Sequence, residues 1–151
     1  DLNKLIRTQA RDLGATAKKS DQRIRVYLPK KPVFIEADKH CIAMAVENLI
    51  SNALKYSFEG TTTTVRLTSR KQHVEIAVTD HGVGIDPDDI PLLFQRFSRT
   101  PNRFSRQISG SGIGLYLSQQ LVNLHGGSIT VTSVKDKGTS FTILLPKKYI
   151  S

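Results

Sequence analysis

The sequence predicts a two-layer α/β sandwich, with a mixed, mostly antiparallel sheet covered by helices on one face. Three observations lead there. Apolar residues alternate at Val74, Ile76 and Val78 and again at Phe141, Ile143 and Leu145, the pattern of strands with one buried side. The stretch from Asp38 to Ser57 has no proline or glycine and sets Ile42, Val46, Leu49 and Ala53 on one face of a helix. Helical and extended segments are interspersed along the chain, so stripes of both kinds must be buried against one another.

The elements are expected in this order. Leu2, Leu5, Ile6 and Leu13 have roughly helical spacing and are followed by Gly14, suited to ending a helix, so residues 1–16 read as the remnant of an upstream helix with its linker. Residues 17–151 read as the domain proper. Arg23 to Leu28 alternates as a strand, the Pro29 to Pro32 segment interrupts it, and Val33 to Glu36 resumes an extended pattern. Asp38 is placed to cap the long helix. Thr62 to Arg70 and Val74 to Asp80 suggest a hairpin. From His81 to Gly114 the chain is rich in Gly, Pro, Ser and Arg, with the apolar cluster Ile90 to Phe97 expected as a short helix inside a long loop. A helix from Ile113 to His125 and strands at Ser128 to Val134 and Thr139 to Leu145 complete the domain.

A chain of 151 residues, 38% apolar and 23% charged, suffices for one domain with a hydrophobic core. The longest apolar run, Ile42 to Val46, is too short to cross a bilayer, and no apolar amino-terminal stretch resembles a secretory signal. The single cysteine, Cys41, cannot form an internal disulfide, which fits a reducing cytoplasm, and its neighbours Ile42 and Met44 predict core packing. The net charge is +9, with Lys18, Lys19, Lys30, Lys31, Arg96, Arg99, Arg103 and Arg106 among the clustered cations. No nucleic-acid motif or base-stacking aromatic array accompanies them, so no nucleic-acid partner is expected. A polyanionic small ligand accounts for some of the charge more economically.

The chemistry concentrates in a few places. Asn48, Asn52, Lys55 and Tyr56 fall at i, i+4, i+7 and i+8 along one side of the long helix. Asparagine is a mediocre helix former, whereas amide oxygens suit a hard cation such as Mg²⁺, lysine suits phosphate, and a tyrosine ring can lie against a base. Asp80-His-Gly-Val-Gly84 follows a strand end, where glycines permit a tight backbone and the carboxylate can accept from an exocyclic amine such as adenine's. Gly110, Gly112 and Gly114 precede a helix whose amino end can receive phosphate oxygens. No Gly-Lys-Ser/Thr follows them, so this is not a Walker loop, and the preceding polar loop argues against a dinucleotide fingerprint.

Plainer readings stand beside these. Phe94 and Phe97, at i and i+3, also fit a small core on a short helix. His125 before Gly-Gly reads as a helix cap, and His73 and His81 lack metal-ligand spacing, so no zinc site is expected. Arg96, Arg103 and Arg106 read best as solvent-facing, and Glu47 is either a minor proton acceptor or an exposed helix carboxylate.

Glu47-Asn-Leu-Ile-Ser-Asn-Ala-Leu-Lys-Tyr56, Asp80-His-Gly-Val-Gly84, Leu93-Phe-Gln-Arg-Phe97, Gly110-Ser-Gly-Ile-Gly-Leu115 and Gly138-Thr-Ser-Phe141 together resemble the successive boxes of sensor histidine kinases, in order and over nearly the whole chain. The resemblance implies the Bergerat-type ATP-binding sandwich shared with gyrase, Hsp90 and MutL, with a long ATP lid. It implies that Asn52 coordinates Mg²⁺, that Asn48 helps hold the metal and phosphates, that Lys55 contacts phosphate, and that Tyr56 packs on adenine. Asp80 would read adenine, with Thr139 supporting adenine through Asp80 or an ordered water. Gly82 and Gly84 would shape the adenine end, while Gly110, Gly112 and Gly114 approach the phosphates. Ile85, Phe97 and Leu115 join the nucleotide-binding residues on the same ground. Phe94 and Phe97 would anchor the lid, and Arg99 would reach phosphate.

The family's acceptor is a histidine on a separate dimerisation domain, usually followed by an acidic residue. His40, His73, His81 and His125 precede Cys, Val, Gly and Gly, so none matches. The expectation is a chain cut just upstream of its acceptor, monomeric by itself, from a homodimeric parent that is anchored in the membrane and serves a response regulator. Two rivals are an ATPase that clamps on hydrolysis and a nucleotide-sensing module or serine kinase of the anti-sigma type. ATPase relatives carry a glutamate general base where Asn48 stands here, which argues against fast hydrolysis.

Overall fold

The computed structural model describes residues 1–96 and 113–148. Helix α1 (Leu2–Asp12) is capped by Asp1, whose carboxylate accepts the Lys4 N–H at 3.0 Å, and its Leu2, Leu5 and Ile6 are buried. The helix ends at Asp12, close to the expected boundary, but Gly14 is not its cap: Leu13 caps it with helical backbone angles (φ −88°, ψ −1°), and Gly14 opens α2 (Gly14–Lys19).

Strand β1 (Arg23–Tyr27) follows as expected. The extended segment Val33 to Glu36 is not a strand. Its backbone groups are satisfied elsewhere: Val33 accepts from the Leu2 N–H at 2.8 Å and donates to Asn3 Oδ1 at 3.1 Å, and Glu36 donates to the Lys147 carbonyl at 3.0 Å. With those groups occupied, little remains for a ladder.

Helix α3 (Lys39–Tyr56) begins where its cap predicts. Asp38 Oδ1 accepts the N–H groups of His40 and Cys41 at 2.8 and 3.0 Å. The amide of Gln22 closes the other end, Nε2 donating to the Leu54 and Ser57 carbonyls at 3.1 and 3.2 Å. Ile42, Ala45, Val46, Leu49, Ile50 and Ala53 are buried along one stripe. Cys41 is only half-buried and is not among the core residues, against the expectation for it. It lies one position, about 100° of helix rotation, from Ile42, and Met44 on the same outward side is 44% exposed.

Strands β2 (Thr62–Ser69) and β3 (His73–Thr79) form the expected antiparallel pair. Among its described residues, the loop beyond β3 has a 3₁₀ turn at Ile90–Leu92 where a short helix from Ile90 to Phe97 was expected, and Phe97 lies outside the described residues. Helix α4 (Gly114–Leu124), β4 (Ser128–Val134) and β5 (Gly138–Pro146) follow.

The five-stranded sheet has the order β1-β2-β3-β5-β4. Only β1 and β2 are parallel, and α3 is their crossover. Val65, Leu67, Val74, Ile76, Val78, Phe141, Ile143 and Leu145 are buried in one core with the α3 stripe, Val122 of α4 and the buried side of α1. The opposite sheet face carries the residues between them, such as Arg66, whose guanidinium lies 4.5 Å over the Tyr27 ring. The expected two-layer sandwich is therefore borne out.

His125 caps α4, as its position suggested, and also ties the two long helices. Its Nδ1–H donates to the Leu121 carbonyl at 2.7 Å, while Nε2 accepts the Asp38 N–H at 3.1 Å. No helix among the described residues is long and apolar enough to cross a membrane.

Leu49 is fully buried where α3 meets the sheet. Leu49→Ala is expected to lower unfolding free energy by about 2–5 kcal/mol, read as a lower urea midpoint with an unchanged m-value.

Candidate functional site

The stripe that buries α3 leaves Asn48, Asn52 and Tyr56 half-buried on the helix flank, with Lys55 and Glu47 exposed. Asn48 is held from across the helix pair. Its Nδ2 donates to Ser118 Oγ of α4 at 3.1 Å and, at the longer distance of 3.4 Å, to the Gly114 carbonyl. The side chains of Asn52 and Lys55 make no hydrogen bond or ion pair with the described residues. The first turn of α4 is thus attached to the middle of α3, directly after the glycine-rich segment.

At its other end, α3 meets the loop that leaves β3. The Val83 N–H donates to the Tyr56 carbonyl at 3.2 Å, and Gly82 bridges Ser57. A Cβ built on Gly82 would run into the Tyr56 carbonyl oxygen, so only glycine lets the loop approach this closely. Gly84 has φ +67°, the left-handed region, and its hydrogen side faces the Val134 carbonyl. Both glycines are needed for backbone packing.

Asp80 sits at the end of β3 and is 6% exposed. Its Oδ1 accepts the Gly82 N–H at 3.0 Å and the Thr139 N–H at 3.2 Å, while Oδ2 takes no hydrogen bond from the described residues. Burial pushes the carboxyl above its ordinary range, opposed by the two backbone donors and the charge of His81. A buried acceptor with an open oxygen suits a neutral N–H donor arriving from outside.

Thr139 supports this carboxylate through its backbone; its hydroxyl lies 2.8 Å from Ser133 Oγ. Ser133 Oγ also accepts the Ile85 N–H at 2.8 Å and donates to the Gly138 carbonyl at 3.0 Å. Ile85 and Leu115 are half-buried against the core. Leu93 is buried, and Phe94 packs edge-to-face on Phe141 with ring centroids 6.2 Å apart, so Phe94 anchors the loop to the sheet by core contact.

Phe97, Arg99, Gly110 and Gly112, with Arg103 and Arg106, lie outside the described residues. Among the described residues, no three or more His, Cys, Asp or Glu side chains could hold a metal ion together. The available hard donors are amide oxygens. With its nitrogen turned to α4, Asn48 has Oδ1 to offer, and Asn52 is unengaged by the described residues. Such a donor set fits Mg²⁺ carried largely by phosphate oxygens and water.

Sequence reasoning passed over Ser118 and Ser133. The signal for Ser118 was a polar residue in line with buried Val122 at i+4; Ser133 stood where the alternation of Ile129 and Val131 calls for an apolar residue.

Residues 37–149 match the family described as histidine kinase-, DNA gyrase B-, and HSP90-like ATPase. The chain belongs to that family. Among its curated relatives is the sensor histidine kinase WalK of Bacillus subtilis (strain 168), 37% identical over 123 residues, which are 80% of this chain and 20% of that protein. The mycobacterial sensor histidine kinase MprB superposes with a TM-score of 0.84 at 30% identity, over 99% of this chain and 97% of that one. Full-length ShkA in complex with AMPPNP shares the fold, with a TM-score of 0.86 at 23% identity over 100% of this chain and 31% of that one. The resemblance to the ATP-binding catalytic domain of two-component histidine kinases is borne out, and the chain spans about a fifth to a third of the curated relatives' length.

Folding raises the Asp80 pKa, so the protonated form is the better tolerated one; its stability contribution is complete below the unfolded value of 3.8 and is lost as pH rises through the folded pKa. Asp80→Asn keeps an acceptor for both backbone amides without the charge. The apo variant is expected to melt above the wild type at pH 7, with the difference shrinking as pH falls through the folded pKa, a trend that thermal melts across pH will check.

Proposed function

We propose that this domain binds Mg²⁺-ATP between α3, the loop after β3 and the start of α4, and donates the γ-phosphoryl group to a histidine on a separate dimerisation domain of its parent kinase. The observation that carries the reading is Asp80, a buried carboxylate with one oxygen fixed by two backbone amides and the other open to the described surroundings. Family membership and kinship with WalK and MprB support it.

In this reading Asp80 accepts from the exocyclic amine of adenine, and Tyr56, Ile85 and Leu115 supply apolar contact. Gly82 and Gly84 keep the loop backbone close, and Thr139 holds Asp80 in place. Lys55 meets phosphate from the exposed end of α3. Asn52 and Asn48 would hold Mg²⁺, which when bound neutralises phosphate charge. Gly114 contributes at the phosphate end, and Phe97, Arg99, Gly110 and Gly112 are assigned there by the resemblance alone. Phosphoryl transfer requires mainly position and charge neutralisation. The bond between the γ-phosphorus and its bridging oxygen breaks, ADP leaves with that electron pair, an acceptor imidazole nitrogen bonds to phosphorus, and the imidazole proton passes to solvent.

The parent is proposed to be a membrane-anchored homodimer that passes the phosphoryl group to a response-regulator aspartate. Asn48, standing where ATPase relatives have a glutamate base, favours transfer over hydrolysis.

Mixing the 151-residue chain with ATP, Mg²⁺ and a histidine-bearing dimerisation domain is expected to yield acid-labile phosphate on the partner. Asn52→Ala should reduce that transfer by at least about 10²-fold, the scale of losing one positioned charge-stabilising group. Acid-stable phosphoserine, or free phosphate alone, would refute the kinase reading.

A further inference from the structure

Ser118 belongs to no box of the family resemblance, yet its side chain is fully buried and joins the two helices at the proposed metal end of the pocket. Its hydroxyl hydrogen goes to the Gly114 carbonyl one turn back, at 2.8 Å. That leaves an oxygen lone pair, which accepts from Asn48 Nδ2 at 3.1 Å, and the same Nδ2 lies 3.4 Å from the Gly114 carbonyl.

This triangle has a polarity. A main-chain carbonyl can only accept, and the Ser118 hydroxyl has committed its proton to that carbonyl, so the Asn48 group facing α4 must be a donor. Turning the amide over would set Oδ1 against the Gly114 oxygen, two acceptors facing each other, and would make the Ser118 hydroxyl give up its bond to that carbonyl in order to donate to Oδ1. The nitrogen therefore faces α4, and Oδ1 is directed away from it, without a hydrogen bond from the described residues.

A serine that back-bonds to the carbonyl four residues earlier is ordinary in a helix, and that bond alone would carry no inference. What distinguishes Ser118 is the second bond, to a side chain 70 residues away on another helix. Among the described residues, replacing the hydroxyl by hydrogen would leave the longer contact to Gly114 alone to orient the amide.

We infer that Ser118 is a positioning residue for metal binding, acting through Asn48: it fixes the amide so that Oδ1 is the atom presented to Mg²⁺-ATP. The inference rests on the proposed reading of the pocket. It adds that the first turn of α4, directly after the glycine-rich segment, sets the orientation of a donor on α3. Loss of the hydroxyl should weaken the response to Mg²⁺ and leave adenine recognition at Asp80 intact.

Two measurements on the 151-residue chain test this. In the first, calorimetric ATP affinity with Mg²⁺ is compared with affinity in EDTA for wild type, Ser118→Ala and Ser118→Thr. The Mg²⁺-dependent gain is expected to fall about 3- to 10-fold in Ser118→Ala, the range of one hydrogen bond, and to return in Ser118→Thr, while affinity in EDTA changes less than about 2-fold. In the second, the Asn48 side-chain amide is followed by ¹⁵N relaxation without nucleotide; it should be rigid in the wild type and mobile in Ser118→Ala. A wild type with no Mg²⁺-dependent affinity would overturn the reading of the pocket and this inference with it. A responsive wild type whose gain persists undiminished in Ser118→Ala, or an Asn48 amide equally rigid in both, would overturn the role of Ser118 alone.

Discussion

The rest of the structure depends on how α3 is pressed onto the sheet, because the rotation of that helix about its axis decides which side chains stand at the proposed pocket. Ile42, Val46, Leu49 and Ile50 are at most 1% exposed, and each such side chain contributes about 1.5–3 kcal/mol on burial. Against that sum, two asparagines in a helix interior cost at most about 0.7 kcal/mol apiece in propensity. Burial wins by a wide margin, so the helix cannot turn its amides inward to hide them or outward into bulk water. They are held at the flank, where a ligand can reach them.

A second constraint acts at the far wall. Asp80 is a carboxylate in a place that disfavours its charge, kept there by two backbone amides and by the close approach of the Gly82 loop. An asparagine would satisfy the same amides at lower cost, so stability does not explain the aspartate. The proposed recognition of an incoming N–H donor would explain it. The hydroxyl of Ser133 works in the same direction, joining Ile85, Gly138 and Thr139 and so tying the loop after β3 to the β4–β5 turn.

The two ends of the proposed pocket are therefore built differently. At the Asp80 end, backbone meets backbone, and the geometry is set by glycines and main-chain hydrogen bonds that tolerate little change. At the Asn48 end, a side chain of α3 is oriented by a side chain and a carbonyl of α4. Among the described residues, two hydrogen bonds between side chain and partner define this second arrangement. It is also placed where α4 emerges from the glycine-rich segment, so movement of that first turn would be felt at the amide.

Much of this was readable from the residues alone, because it depends on neighbours close in the chain. The period of the α3 stripe, the alternation in β3 and β5 and the capping carboxylate of Asp38 are local, and local sterics and burial determined them. The order of the motif boxes likewise indicated the family and the candidate residues. What the folded chain alone decided was partnership between distant segments. Gly14 opens a helix because Leu13 stays helical, Val33 to Glu36 forms no strand because α1 and the chain after β5 take its hydrogen bonds, and Cys41 misses the core by one position. Ser118 and Ser133 acquire their roles from groups 70 and 48 residues away, and a hydroxyl carries no mark in the sequence of which distant donor it will accept.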